Sequence, residues 1–408
     1  MNIFFKLYSR IYQKILYLSM FFLPFNEPIV YRGEHSISNI PSILKKNGIS
    51  KIMIVTDANL VKIPYFAKIL QEIQSNNIEY VMYDLTKPNP TISQIEDAFK
   101  LFVNTNSNGL LAIGGGSSID LAKGIGVKLT HPNKKIQQMR GLLKVLKKLP
   151  LLIAIPSTAG TGSEATVACV VTDELTKEKY AINDPVLIPK YAILDPLITV
   201  GLPFSLTSTT GMDALTHAVE AYIGHSNTKK TKRMAISAIK TIFGNLEEAC
   251  INPTNINARM NMLNASYEAG VAFTRAYVGN VHALAHQLGG VYHIPHGLAN
   301  AILLPVVLRY YNHATDKKLS MLYDAVYKDN TLDTISAKSE GFIDKIFELN
   351  QRMNIPAKIK IDATDDDIFL MASRAFLEAN PLYPVPTMFD ILDFVNIYNM
   401  IIEKNKSN

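Results

Sequence analysis

Through the first 200 residues, short apolar runs of β-like character alternate with stretches of helical period. Lys51–Thr56 is such a run and ends at Asp57. Ile63–Gln74 repeats with helical spacing, and Glu79–Leu85 returns to a strand pattern. Lys87-Pro-Asn-Pro-Thr91 is a turn that caps a helix beginning near Ser93. Gly109–Ile113 is uniformly apolar and runs into three glycines; Leu149–Ile155 is a further strand. Strands alternating with helices predict parallel βαβ units. After Leu202-Pro203 the pattern changes to long helices broken by Gly, Pro and Asn. Three segments are predicted: an extension over residues 1–26, an α/β domain over 27–200 and an all-α domain over 201–408.

The extension has its own pattern. Leu7, Ile11, Ile15, Leu18 and Phe22 form a helical apolar stripe, punctuated by Lys6, Arg10 and Lys14, and no acidic residue precedes Glu27. The longest uncharged stretch, Ile15–Asn26, is shorter than the roughly 20 residues a membrane span needs. No small-residue cleavage site follows it, so a secretory signal is not predicted. A helix packed on the body or on a partner subunit is expected; a membrane-surface helix is the alternative.

Composition narrows the classes. With 408 residues and 48% hydrophobic content, the chain can bury a core large enough to offset its ordering entropy, which excludes disorder as its main state. The net charge of +6 comes without a dense basic stripe, so no nucleic-acid partner is expected. The only two cysteines, Cys169 and Cys250, exclude a disulfide framework and a thiolate metal site, and they fit a reducing, cytoplasmic compartment.

Three stretches carry chemistry. Gly109–Lys123 reads strand, turn, helix, with Gly114, Gly115 and Gly116 at the turn. Without side chains there, backbone amides can approach a phosphate closely, and the following helix N-terminus favours the anion. Ser117 and Ser118 can cap the helix or bond the anion. Asp57, at the end of a strand, suits ribose hydroxyls or an ordinary helix cap. Pro156-Ser-Thr-Ala-Gly-Thr-Gly-Ser-Glu164 is a second glycine- and hydroxyl-rich loop after a strand, offering Thr158 and Thr161. In the helical half, Asp213 and His217 stand at i and i+4, as do His282 and His286; His293 and His296 follow. One carboxylate and several imidazoles at this spacing suit a divalent metal: Fe²⁺, Zn²⁺, Mn²⁺ or Co²⁺. A metal beside a nucleotide fold points to a Lewis acid working with a hydride carrier.

These motifs, in this order, resemble the iron-containing (group III) alcohol dehydrogenase family over about residues 27–400. The likeness rests on residues 87–91, 114–123, 156–164, Gly211–Glu220, Val281–Gly290 and Pro295–Pro305. It implies a Rossmann-like parallel sheet followed by an all-α domain, the fold shared with dehydroquinate synthase. It places Asp213, His217, His282 and His296 as metal ligands, Fe²⁺ ahead of Zn²⁺, and His286 as the non-ligand histidine near the nicotinamide. Gly115, Gly116 and Ser117 fall on the pyrophosphate loop, with Thr158, Thr161, Lys179 and Asn89 as cofactor contacts. Asp57 matches the position that favours NAD over NADP, and Phe273 an aromatic lining the substrate pocket. Ala168, Arg275 and Leu382 depart from the family pattern, Leu382 standing where Arg is usual.

The expectation is an NAD(H)-linked, metal-dependent dehydrogenase that interconverts a small primary or secondary alcohol and its aldehyde or ketone, acting as a homo-oligomer, here a homodimer. The rival readings are a dehydroquinate-synthase-like or glycerol-dehydrogenase-like enzyme of the same fold, and a membrane- or partner-bound scaffold. A lyase acting on a phosphorylated acid wants a dense Lys/Arg pocket, and Arg275 is the only such residue near the motifs.

Overall fold

The computed structural model describes residues 1–23, 25–176, 178–327 and 332–404. It opens with helix α1 (Ile3–Ser19). The chain divides into two compact units. One comprises Met1–Leu23, Pro203–Asn252 and Val271–Asn408; the other comprises Pro24–Leu202 and Pro253–Gly270.

The second unit runs β1 (Ile29–Arg32), α2 (Ile40–Lys46), β2 (Lys51–Val55), α3 (Pro64–Gln74), β3 (Glu79–Tyr83), α4 (Ile92–Asn104), β4 (Gly109–Gly114), α5 (Gly116–Thr130), β5 (Gly141–Leu142), β6 (Leu151–Pro156), β7 (Ala168–Asp173), β8 (Glu178–Asn183) and β9 (Tyr191–Leu194). Six strands make an all-parallel sheet in the order β1-β9-β6-β4-β2-β3. Alternate residues explain its two cores. In β2, Met53 and Val55 join one apolar cluster with Ile119 and Ile125 of α5, whereas Ile52 and Ile54 join the opposite cluster with Phe66 and Ile69 of α3. Both faces are covered, so the strands read as continuous apolar runs. Thr91 caps α4, its side chain accepting from Gln94 N–H while the Gln94 side chain accepts from Thr91 N–H. A small sheet, β5-β8-β7, stands beside the main one. Its strands are half-buried on alternating positions, a weaker signal that the apolar pattern did not disclose.

The strand order reverses between β2 and β4. From β2 the chain crosses outward to β3, then returns to the other side of β2 to form β4. The carboxyl ends of strands at such a switch point are where open α/β sheets bind ligands.

The helical unit contains α6 (Phe204–Ile223), α7 (Lys229–Ile251), the end of α8 (Ile256–Ala276), α9 (Asn280–Tyr292), α10 (His296–Tyr310), α11 (Asp316–Val326), α12 (Ile335–Arg352), α13 (Asp365–Ala379) and α14 (Ile391–Ile401), with two-residue strands β10 (Ile359–Lys360) and β11 (Ile402–Glu403). Pro305 lies inside α10 and cannot donate to the carbonyl of Ala301, four residues earlier. Asn350 of α12 donates to that carbonyl instead, at 2.7 Å.

Two boundaries differ from expectation. Pro253–Gly270, inside the stretch expected to be all-α, clusters with the α/β unit. Here backbones meet: Gly162 has φ 59°, and a Cβ on it would stand 2.7 Å from Gly270 Cα and from the Ser266 carbonyl oxygen. Arg32 also donates to Asn264 Oδ1 at 3.1 Å and covers the Tyr267 ring at 5.1 Å. At the N-terminus, α1 joins the helical unit, but its apolar stripe does not face it. Ser9 and Gln13 are the buried residues of α1, while Leu7, Ile11, Ile15, Leu18 and Phe22 are exposed. The helix thus packs on the helical unit through Arg10 and Gln13, with the stripe left exposed. The segment around residues 381–386 offers backbone carbonyls, and carbonyls call for donors.

Candidate functional site

In the α/β unit, three neighbouring strands, β2, β4 and β6, end in Asp57, Gly114–Gly116 and Ser157–Thr161. Asp57 Oδ1 accepts from the amides of Asn59 and Leu60 at 3.0 and 3.1 Å, an Asx turn that leads into the short helical turn Leu60–Lys62. Its Oδ2 lies 3.9 Å from where a Cβ on Gly114 would stand. Gly114 has φ 155°, and a Cβ there would come within 2.4 Å of Ser118 Oγ. Gly115 is the N-cap of α5 with no side-chain cap. A Cβ on Gly116 would stand 2.7 Å from Thr161 Cγ2, and one on Gly115 3.3 Å from Thr158 Oγ1. The glycines thus let Thr158 and Thr161 of the second loop close against the first, beside the N-terminus of α5, whose amides can receive an anion. Ser117 follows in the first turn of α5, half-buried. Asn89, at φ 57°, and Lys179 form a separate pair, with Lys179 Nζ donating to Asn89 Oδ1 at 3.0 Å.

Beneath these loops lies a device that sequence reasoning missed. Lys123 is fully buried, and its ammonium lies 2.7–3.0 Å from the carbonyls of Ser163, Thr166 and Ala168 and the hydroxyls of Ser163 and Thr166. Asp120 accepts from Ser163 Oγ at 2.6 Å and Val170 N–H at 3.1 Å. Burial pushes the Lys123 pKa down and the Asp120 pKa up, each partly countered by the other's charge. The pair fastens the second loop to α5.

In the helical unit, α6 presents Asp213, His217 and Glu220 on one face. One ligand atom from each of Asp213, His217 and His282 lies within 4.8 Å of the others, and all three residues are buried. His296, which starts α10, brings Nε2 to 3.6 Å from Asp213 Oδ1. Asp213 and His217, one i, i+4 pair, thus meet His282 of the other pair, with His296 beside them. His217 Nδ1 is buried without a hydrogen-bond partner. Burial, the largest cause, lowers its pKa to about 4, so the ring is neutral and its lone pair available. Asn300 turns its amide Nδ2 into this group, donating to Asp213 Oδ1 at 2.7 Å and lying 3.2 Å from Nε2 of His282 and of His296. Lone pairs converging on one point, with one of them orphaned, fit a divalent cation.

A further set of groups orients the imidazoles. His282 Nδ1 lies 2.6 Å from Glu220 Oε2 and, protonated there, donates to it and keeps Nε2 for a metal. Glu220 also accepts from Gly279 N–H at 2.7 Å and Val281 N–H at 2.8 Å, the unsatisfied amides at the start of α9. Burial pushes its carboxyl up to about 7 despite those donors. His286 Nδ1 lies 2.6 Å from Glu378 Oε1 of α13, which also accepts from Tyr383 OH at 2.9 Å. Phe273 stacks on His217 with ring centroids 4.2 Å apart. Glu220 stands three residues after His217 and Asn300 four after His296, a spacing that could have marked them. Glu378 lies 92 residues from His286, beyond any local signal.

A parallel sheet with a glycine loop at its switch point, and a helical unit gathering Asp213, His217 and His282, suit an enzyme that uses a nucleotide and a metal. Residues 28–196 match the family described as iron-containing alcohol dehydrogenase, and residues 207–402 the C-terminal part of the Fe-containing alcohol dehydrogenase family. The chain is 38% identical over 352 residues to 1,3-propanediol dehydrogenase of Klebsiella pneumoniae, covering 85% of this chain and 90% of that one. It is 33% identical over 383 residues to the NAD-dependent methanol dehydrogenase of Bacillus methanolicus, covering 93% and 99%. The crystal structure of a 1,3-propanediol oxidoreductase superposes with a TM-score of 0.87 at 34% identity, covering 92% of this chain and 99% of that one. The chain belongs to the iron-containing alcohol dehydrogenase family. It is an oxidoreductase of alcohols and their carbonyl counterparts that uses NAD(H) and a metal.

Proposed function

We propose that Asp213, His217, His282 and His296 together bind one divalent cation, Fe²⁺ in preference to Zn²⁺, and that the substrate is a small primary or secondary alcohol or its aldehyde or ketone. The gathering of Asp213, His217 and His282 within 4.8 Å, with His296 Nε2 3.6 Å from Asp213 Oδ1, supports the reading most directly. When bound, the cation supplies Lewis acidity toward an alcohol or carbonyl oxygen, and NAD(H) supplies the hydride acceptor or donor.

The chain's own residues do the rest. Glu220 holds His282 in its ligand tautomer. Gly115, Gly116 and Ser117, with Thr158 and Thr161, cradle the pyrophosphate. Asp57 turns a carboxylate toward the ribose hydroxyls and repels a 2′-phosphate, favouring NAD over NADP. Asn89 and Lys179 serve as a cofactor-contacting pair. Phe273, stacked on His217, lines the substrate's apolar side. His286, steadied by Glu378, holds or passes the proton exchanged with the alcohol. Cys169 and Cys250 are both buried and form no disulfide, which suits a cytoplasmic protein. A homodimer, common in the family, completes the reading; sedimentation equilibrium tests it.

The central test pairs elemental analysis with NADH formation at 340 nm, using NAD, a panel of short alcohols and added Fe²⁺ or Zn²⁺. Asp213→Ala and His282→Ala are expected to lose both the metal and the turnover. Metal content unchanged in both variants overturns the ligand assignment. Turnover of a cyclic phosphorylated acid without net NADH release favours the lyase reading.

A further inference from the structure

Helix α1 is docked the wrong way round for an ordinary surface helix. Its two buried residues, Ser9 and Gln13, are polar, and they sit among half-buried Phe5, Arg10, Tyr12 and Leu16. Gln13 donates to the carbonyls of Pro381 and Tyr383 at 3.0 and 2.8 Å, and Arg10 to those of Val385 and Pro386 at 2.8 and 3.0 Å. Arg10 also donates to Gln13 Oε1 at 3.0 Å, and the terminal ammonium pairs with Asp390 at 3.2 Å. Phe5 stacks on Phe376 with ring centroids 5.8 Å apart. These directed bonds fix the rotation of the helix about its axis.

The outward face is apolar. Phe4, Leu7, Ile11, Ile15 and Leu18 recur at helical spacing and are exposed, from 51% at Ile11 to 76% at Phe4, and Phe22, just past the helix, is 88% exposed. A soluble surface helix shows the reverse arrangement, and contiguous exposed apolar surface of this kind marks an interaction site. The charge pattern selects the occupant. Lys6 and Lys14 are exposed beside the stripe, and no acidic residue precedes Glu27. A second copy of the helix would bring like charges together, whereas anionic lipid headgroups complement them. Among the described residues no helix is long and apolar enough to cross a membrane, and the 17 residues of α1 span only about 25 Å.

We propose that α1 is a membrane-surface helix: held by Arg10 and Gln13, it presents its apolar stripe to a bilayer carrying anionic headgroups and lies in the plane of the interface. The polar face, which on a free amphipathic helix would meet water, here anchors the helical unit. This inference does not depend on which alcohol the enzyme takes.

The test is flotation of the full-length protein with phosphatidylcholine vesicles, with and without phosphatidylserine. The native protein is expected to float with the anionic vesicles, and to be released by salt. Leu7→Ser/Ile11→Ser/Ile15→Ser alters only exposed side chains and keeps the docking bonds, so fold and NADH formation are expected to stay unchanged while partitioning falls at least about tenfold. Lys6→Glu/Lys14→Glu is expected to abolish the preference for anionic vesicles. Absence of flotation by the native protein, or equal flotation by the triple-serine variant, overturns the proposal. So does a vesicle-free sedimentation experiment in which the triple-serine variant splits a native oligomer while neither protein floats, because the stripe then covers a second copy.

Discussion

Lys123→Met tests how the second cofactor loop is held. Methionine keeps an unbranched side chain of similar length and removes the ammonium. In the native chain that ammonium lies within hydrogen-bond distance of three loop carbonyls and two hydroxyls, all at 2.7–3.0 Å. A buried acceptor left without its donor costs about 1–3 kcal/mol. The Ser163 carbonyl keeps the amide and hydroxyl of Thr166 as donors, whereas the carbonyls of Thr166 and Ala168 lose the ammonium. Asp120 keeps its bonds to Ser163 and Val170 and loses its nearest positive charge. Avoided desolvation of the ammonium offsets part of the loss, leaving an expected net destabilisation of about 3–5 kcal/mol, as for other broken buried charge pairs. Against a typical total of about 5–15 kcal/mol, that is a large fraction. Urea unfolding followed by circular dichroism measures it as a lower midpoint at unchanged slope. Because the same loop carries Thr158 and Thr161, a fluorescence titration is also expected to show weaker NADH binding. A midpoint within about 1 kcal/mol of native, together with unchanged NADH affinity, refutes the assignment of Lys123 as the fastener.

Three further predictions follow from the same physics. Gly162→Ala places a Cβ 2.7 Å from the Gly270 backbone at a φ of 59° and is expected to lower the melting temperature, with a calorimetric loss of about 2 kcal/mol or more. Glu164 is buried, its Oε1 has no hydrogen-bond partner, and burial raises its pKa from 4.5 to about 7. The folded state therefore binds this proton more tightly than the unfolded state, so this group's contribution to stability is fully present below pH 4.5 and is lost as pH rises toward 7. Glu164→Gln is expected to gain up to about 3 kcal/mol over native at pH 8 and little at pH 4; equal gains at both, read from thermal melts, contradict the account. Glu220→Ala removes the acceptor of His282 Nδ1 and is expected to weaken metal binding about 10- to 100-fold in a chelator-competition titration.

Much of the fold is legible along the chain because β2, β4 and β6 are buried on both faces and so read as unbroken apolar runs. β7 and β8, buried on alternate positions only, leave a fainter trace. The i, i+4 spacing brought out Asp213, His217, His282 and His286, since neighbours on one helix face are fixed by the period alone. Their supports are another matter. Glu378 reaches His286 across helices, and a lysine such as Lys123 reads as a surface residue until its acceptors are known. Periodicity revealed the stripe on α1 but could not tell which side faces inward. That depends on the donor groups of Arg10 and Gln13 meeting carbonyls some 370 residues away.

Glu220 joins two jobs that proteins often keep apart. The same carboxylate satisfies the opening amides of α9 and steers the imidazole of His282. Ion affinity and the order of one helix end are thus two faces of a single equilibrium, and each can be read from the other. Chelation is expected to quicken amide hydrogen exchange at Gly279 and Val281 first, making that turn a built-in gauge of loading.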